Sequence, residues 1–148
     1  MWYGRLTTLQ LLRETIGIHT CDRRQPSSMI QSLFPHVTLE PNFSEQDPFW
    51  SAELREPDSA RKARLTEFLD DVFMHDQGMF LSFTAHSGAI RSLLEAIGHR
   101  QFDLETGGVI PVVVRAERVD GEREKAPDEP WETVPACSMD PTATAVPN

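Results

Sequence analysis

The chain has 148 residues, one domain's length, and its 39% hydrophobic content is enough for a core. A net charge of −9 argues against nucleic acid and anionic membrane as partners, since both demand a basic surface. The charge is uneven: Asp120 to Asn148 holds seven acids and two bases, and the body before it is closer to neutral.

Residues 5–13 are ambiguous between a short strand and a helix, because Leu6, Leu9, Leu11 and Leu12 fit neither period; Gly17 ends the element. Pro26-Ser27-Ser28 opens a short helix from Met29 to Phe34, stopped by Pro35. From Val37 to Ala52, Pro41 and Pro48 break the chain into an ordered loop or lid whose Phe43, Phe49 and Trp50 are expected to pack inward. Asp58 is the expected N-cap of the strongest helix, Ser59 to His75. There Leu65, Phe68, Leu69, Val72 and Phe73 share one face, while Arg61, Lys62, Arg64, Glu67, Asp70 and Asp71 are expected to solvate the other.

Met79 to Phe83 reads as a short buried strand, and Ile90, Leu93, Leu94 and Ile97 mark a helix over 89–97. Val109 to Val114 is a nearly continuous apolar run, the mark of a strand buried on both faces, although Pro111 assigns it to an edge or a bulge. The alternation predicts an α/β fold, a mostly parallel sheet flanked by helices, over residues 1–118. Five of the eleven prolines lie beyond Ala126, so 119–148 is expected to be a disordered, acidic, Pro-rich tail, with Trp131 tacking part of it back.

Chemistry concentrates at His86-Ser87-Gly88, placed at the turn between the expected strand and helix. Unpaired N–H groups and the helix dipole favour an anion there, and Gly88 lets the backbone approach it. An imidazole at such a turn can bind or protonate a phosphoryl oxygen; a structurally satisfied histidine at a strand end is the competing reading. Upstream, Leu12-Arg13-Glu14-Thr15-Ile16-Gly17 precedes His19-Thr20-Cys21-Asp22-Arg23-Arg24. Taken alone, Glu14 reads as a surface partner of Arg13 or Arg23. Asp22-Arg23-Arg24 reads equally as a group that orients Glu14 or reaches a substrate carboxylate or phosphate, or as a solvated turn with an Asp–Arg ion pair. His19, Cys21 and Asp22 have metal-binding atoms but no second close pair, so no metal is expected. No phosphate-binding or dinucleotide loop appears, and no other cofactor is expected.

These two blocks, followed by Gly107-Gly108-Val109-Ile110-Pro111-Val112-Val113-Val114, resemble the histidine phosphatase superfamily. They are most similar to its phosphoglycerate-mutase-like phosphatases of fungal type, over about Leu11 to Arg118. The resemblance implies a phosphoglycerate-mutase-like fold and catalytic roles for Glu14, as proton donor, and His86, as second active-site histidine. Ser87, Gly88 and Arg23 are the expected substrate-binding residues. In the reaction it implies, a histidine attacks phosphorus, a carboxylic acid protonates the departing oxygen, and the phosphohistidine is hydrolysed. Glu14 suits that role if burial or phosphate raises its pKa. The substrate implied is a small phosphorylated metabolite, or inorganic phosphate as ligand.

The attacking histidine of the family stands in an Arg-His-Gly motif. Here histidines occur at 19, 36, 75, 86 and 99, and none lies between an arginine and a glycine. The chain is therefore expected to be an N-terminally truncated member, inactive as it stands. The alternative is a non-catalytic relative that binds a phospho-ligand or another protein. Loss of a central strand would bare a sheet edge along Met79–Phe83, strip cover from Leu65, Leu69 and Phe73, and favour a homodimer. Cys21 and Cys137 are expected to be free thiols. No secretory signal or spanning segment of roughly 20 apolar residues is visible, so the expected location is cytoplasmic.

Overall fold

A computed structural model describes residues 6–121 and 129–133. Two helices dominate it, α2 (Asp58–His75) and α3 (Ser87–Ala96), after the short α1 (Ser27–Leu33). Strands are minimal. β1 (Thr7–Thr8) pairs in parallel with β2 (Thr38–Leu39), and β3 (Leu54–Arg55) pairs antiparallel with β4 (Glu132–Thr133).

The core lies where α2 and α3 pack together. Leu65, Phe68 and Ala89 are buried at its centre, with Leu69, Val72 and Leu93 around them. Ala89 lets the helices approach closely, and Leu9, Leu11 and Leu12 close the cluster from the N-terminal side. Each fully buried Leu or Phe stabilises by roughly 1.5–3 kcal/mol, so this small cluster holds much of the fold. The ambiguity over residues 5–13 resolves into both answers: β1, then a single 3-10 turn at Gln10–Leu12.

The α/β class stands, but the mostly parallel sheet does not, since these residues form two separate two-stranded pieces. Met79–Phe83 is extended without a ladder among the described residues, and Met79 and Phe80 are 91% and 89% exposed. A strand needs a backbone neighbour to hydrogen-bond, and none of the described residues pairs with this run. Phe83 alone turns inward, its ring edge-on to Phe68 at 5.1 Å. Residues 109–115 likewise form no strand, and Val109 and Val113 are exposed; Pro111 there has no N–H to offer a ladder.

Other expectations need correcting. Pro57, not Asp58, is the N-cap of α2, and Asp58 is its first residue. Phe49 of the 37–52 loop is exposed rather than packed. Leu65 is fully buried by α3 rather than stripped of cover. The expected disorder of the tail falls mostly on 122–128 and 134–148, outside the described residues, as does Cys137; within 129–133, Trp131 is half-buried beside β4. No helix among the described residues is long and apolar enough to cross a membrane.

Candidate functional site

His86 has an extended backbone, with φ −85° and ψ 166°, and hands the chain directly into α3. The first N–H groups of a helix have no intrahelical acceptor, so they look outward for one. Here they find Glu14: the N–H of Gly88 and of Ala89 donate to its Oε2 at 2.9 and 3.2 Å. Its other oxygen, Oε1, accepts from the N–H and the hydroxyl of Thr15 at 2.9 and 3.0 Å. Gly88 makes this approach geometrically feasible. A Cβ built there would lie 2.2 Å from Glu14 Oε1, well inside contact distance.

Two arginines of α2 hold the Glu14 segment from below. Arg61 is 6% exposed. Its Nη1 lies 3.7 Å from Glu14 Oε1 and donates to the Thr15 hydroxyl, its Nε donates to the Ser92 hydroxyl of α3 at 3.0 Å, and its Nη2 pairs with Asp58 at 3.0 Å. Arg64 donates to the carbonyl oxygens of Leu11, Arg13 and Glu14 at 2.6, 3.0 and 3.2 Å. Glu56 holds Arg64 in turn, with Nε and Nη2 at 2.8 and 2.7 Å from its oxygens, and also accepts the N–H of Ile16 at 3.0 Å. The expectation that this charged face of α2 is a wet surface is therefore wrong for Arg61 and Arg64.

Burial pushes the Glu14 carboxyl up, but the N–H groups of Thr15 and Ala89, the Thr15 hydroxyl and the Arg61 charge together bring it below the usual glutamate value. In this state Glu14 is a carboxylate, not the proton-bearing acid that the sequence reading sought. Asp47 is the second deep carboxylate, with a side chain 1% exposed. Burial raises it, but hydrogen bonds from Arg13 and from the N–H groups of Arg24 and Phe49, with the Arg13 charge, hold it far below the usual aspartate range.

Glu14, His86 and Arg23 all line one cavity of about 410 Å³, together with Arg13, Asp22, Arg24 and Phe43 among others. His86 is exposed, and its ring has no hydrogen-bond partner among the described residues. Arg23 likewise has no carboxylate partner among them; its guanidinium lies over the Trp50 ring at 5.4 Å. Arg24 stacks over Phe43 at 4.2 Å and donates to the carbonyls of Gln25, Ser44 and Gln46. Ser87 and Gly88 are not on the cavity wall; Gly88 reaches the site through its N–H, and Ser87 is exposed beside it. Glu14 pairs with neither Arg13 nor Arg23, because Arg13 is taken by Asp47 and Arg61 stands nearer. Asp22 meets Arg55 at 3.9 Å rather than its neighbour Arg23. Arg91 is exposed and away from the cavity. Among the described residues, no three His, Cys, Asp or Glu side chains cluster as a metal site.

Arg61, Arg64 and Asp47 are the site residues that the sequence reading missed. For Arg61 a signal existed: positions 61, 65, 68 and 72 fall in helical register, so an arginine occupies the apolar stripe of α2. A charge on that stripe has to be paired inside the fold. Nothing comparable marks Asp47.

Curated relatives carry phosphoglycerate-mutase and phosphomutase names. The chain is 52% identical over 126 residues to a probable phosphoglycerate mutase of Arthroderma benhamiae, covering 85% of this chain and 36% of the relative. It is 32% identical over 143 residues to phosphomutase-like protein 3 of Candida albicans, covering 92% of this chain and 45% of that one. Phosphoglycerate mutase-like protein 1 of Arabidopsis thaliana is 33% identical over 61% of this chain and 32% of its own length. The chain thus spans less than half the length of the relatives it matches. No protein-family model and no solved structure matches it. These relatives establish that the chain belongs to the phosphoglycerate-mutase-like family.

Proposed function

We propose that the cavity is a phosphoryl-transfer site of the histidine phosphatase kind, acting on a small phosphorylated metabolite in the cytoplasm. The observation that carries this reading is that Glu14 and the start of α3, 74 residues apart in sequence, meet in one cavity beside a histidine whose ring has no hydrogen-bond partner among the described residues. A phosphoryl group has three oxygens to hold, and positioning and electrostatics supply most of the catalysis. The N–H groups of Gly88 and Ala89 and the ring of His86 suit those oxygens, while Arg23 suits the rest of the substrate. The names of the relatives, a probable phosphoglycerate mutase and a phosphomutase-like protein, support the same chemistry. Cys21, an exposed free thiol, suits a reducing compartment.

In this reading Glu14 is the acid that protonates the departing oxygen. A nearby phosphate dianion raises its proton affinity, turning the resting carboxylate into an acid when it is needed. Attack on phosphorus falls to a histidine outside these 148 residues, since His86 is the single histidine on the cavity wall and lies in no Arg-His-Gly motif.

The test pairs turnover with binding. The 148-residue chain is expected to hydrolyse p-nitrophenyl phosphate negligibly, for want of a nucleophile. Inorganic phosphate is expected to shift the ring signals of His86 in an NMR titration. Signals that ignore tens of millimolar phosphate would leave His86 a structural residue and end this reading. Clear turnover, lost in both His86→Ala and Glu14→Ala, would put the attacking group within the chain instead.

A further inference from the structure

The two oxygens of Glu14 are held by different parts of the fold. Oε1 accepts from Thr15 at 2.9 and 3.0 Å and has Arg61 at 3.7 Å. Oε2 accepts from the N–H groups of Gly88 and Ala89 at 2.9 and 3.2 Å. Those N–H groups are the donors that the proposed function assigns to a phosphoryl oxygen. They converge on one point, and a carboxylate oxygen already occupies it. Two anions cannot use the same pair of donors at once, and like charges at contact distance repel strongly in a half-buried site.

We propose that Glu14 is a built-in competitor for the phosphoryl group. In the resting chain its Oε2 closes the start of α3, and the ligand enters as Oε2 leaves, while Thr15 and Arg61 retain Oε1. This inference rests on the reading of the cavity as a phosphoryl site.

The geometry supports a short swing rather than a loss of the residue. Glu14 is flexible beyond its Cβ, its backbone carbonyl is gripped by Arg64 at 3.2 Å, and Arg61 is fixed by Ser92 and Asp58. The carboxyl group is therefore displaced by about its own width and stays against the incoming phosphate. Entry of the ligand and creation of the acid become one event. Until then the carboxylate is neutralised by donors and holds no proton to lose. Ligand affinity is lowered by the fraction of chains in which Oε2 still caps the helix.

The experiment titrates inorganic phosphate into the wild-type chain, Glu14→Gln and Glu14→Ala at one pH. It follows the backbone amides of Gly88 and Ala89 by NMR and reads the Kd. The expected result is a Kd about tenfold lower in Glu14→Gln than in wild type, equivalent to about 1.4 kcal/mol, with the largest shifts at those two amides. Glu14→Gln keeps the size of the side chain, so it carries the test if Glu14→Ala does not fold. Phosphate binding at Gly88 and Ala89 with an equal or higher Kd in Glu14→Gln would overturn the competitor and leave the phosphoryl site standing. No binding in any of the proteins would overturn the phosphoryl site, and the competitor with it.

Discussion

Arg13 and Asp47 form a two-armed ion pair, Nη1 to Oδ1 at 2.8 Å and Nη2 to Oδ2 at 2.7 Å, across 34 residues of sequence. The same carboxylate accepts the N–H of Arg24 at 2.8 Å and of Phe49 and Trp50 at 3.1 and 3.3 Å. One aspartate thus fixes the residue before Glu14 and the residue after Arg23, and joins both to the 37–52 loop. It braces two residues of the cavity wall, Arg13 and Arg24, without lining the cavity itself.

Asp47→Asn keeps the shape but leaves a largely buried Arg13 guanidinium without its counter-charge. Breaking such a pair by removing one partner costs about 3–5 kcal/mol. Urea denaturation of the variant is expected to show a loss near the lower end, because Arg13 also donates to the Asp22 carbonyl at 2.8 Å. A loss under about 1 kcal/mol, the size of an exposed pair, would contradict the structural role given to Asp47.

Acid should weaken the fold through the same carboxylates. Glu14 and Asp47 both titrate below their ordinary values when folded. Their stabilising contributions are therefore complete above the unfolded values of about 4, and are lost as pH falls below that toward the folded values. Thermal melts are expected to be flat in this respect from pH 7 to about 5 and to fall steeply below about pH 4, less steeply in Asp47→Asn. A melting temperature that holds or rises on acidification would show that these groups are not favourably held.

Arg61→Gln removes a charge that faces Glu14 and leaves the Thr15 and Ser92 hydroxyls short of a donor. Unsatisfied buried groups cost roughly 1–3 kcal/mol each, so the variant is expected to lose about 2 kcal/mol or more. The more telling readout is Glu14 itself: its carboxyl carbon, followed by NMR against pH, should titrate higher than in wild type. An unchanged titration would mean that Arg61 is only packing.

The exposed apolar run Met79–Leu81, together with Val109 to Val114, predicts self-association. Large apolar patches on a soluble chain favour pairing with another copy, here through side chains rather than through a ready-made ladder. Light scattering is expected to show mass growing with concentration, and Phe80→Glu is expected to reduce it. A monodisperse monomer at high concentration, with a cooperative melt above about 55 °C, would show that this surface is self-sufficient.

Helices were legible in the sequence because their signal is local. The spacing of Leu65, Phe68 and Val72 marks α2, and that of Ile90, Leu93 and Leu94 marks α3, wherever those helices dock. Strands were not, because an apolar run such as Met79–Phe83 or Val109–Val114 describes a capacity for pairing, and pairing depends on what lies alongside. The site was half legible. Glu14 and His86 stand out in sequence blocks, and their meeting at one cavity follows from the packing of α3 on α2. The charge state of Glu14 was not readable, since beside its neighbour Thr15 it is set by Ala89 and Arg61, residues whose proximity only the fold creates. Asp47 was invisible because the charge partner that marks it, Arg13, and the Arg24 N–H come from distant segments, while its local partners, the N–H groups of Phe49 and Trp50, are those of an ordinary turn.

Arg64 grips the Leu11–Glu14 stretch by carbonyl oxygens, which every amino acid possesses. As far as this grip is concerned, the sequence is free to drift at positions 11 and 13 without unseating the acid between them and Thr15. The constraint falls on position 64 instead. A lysine there has three donors on a point charge, where arginine spreads five over a planar fork. It could not serve Glu56 and three carbonyls together. Tolerance on one side of the contact is thus matched by intolerance on the other, and the residue least able to vary is one that does not line the cavity.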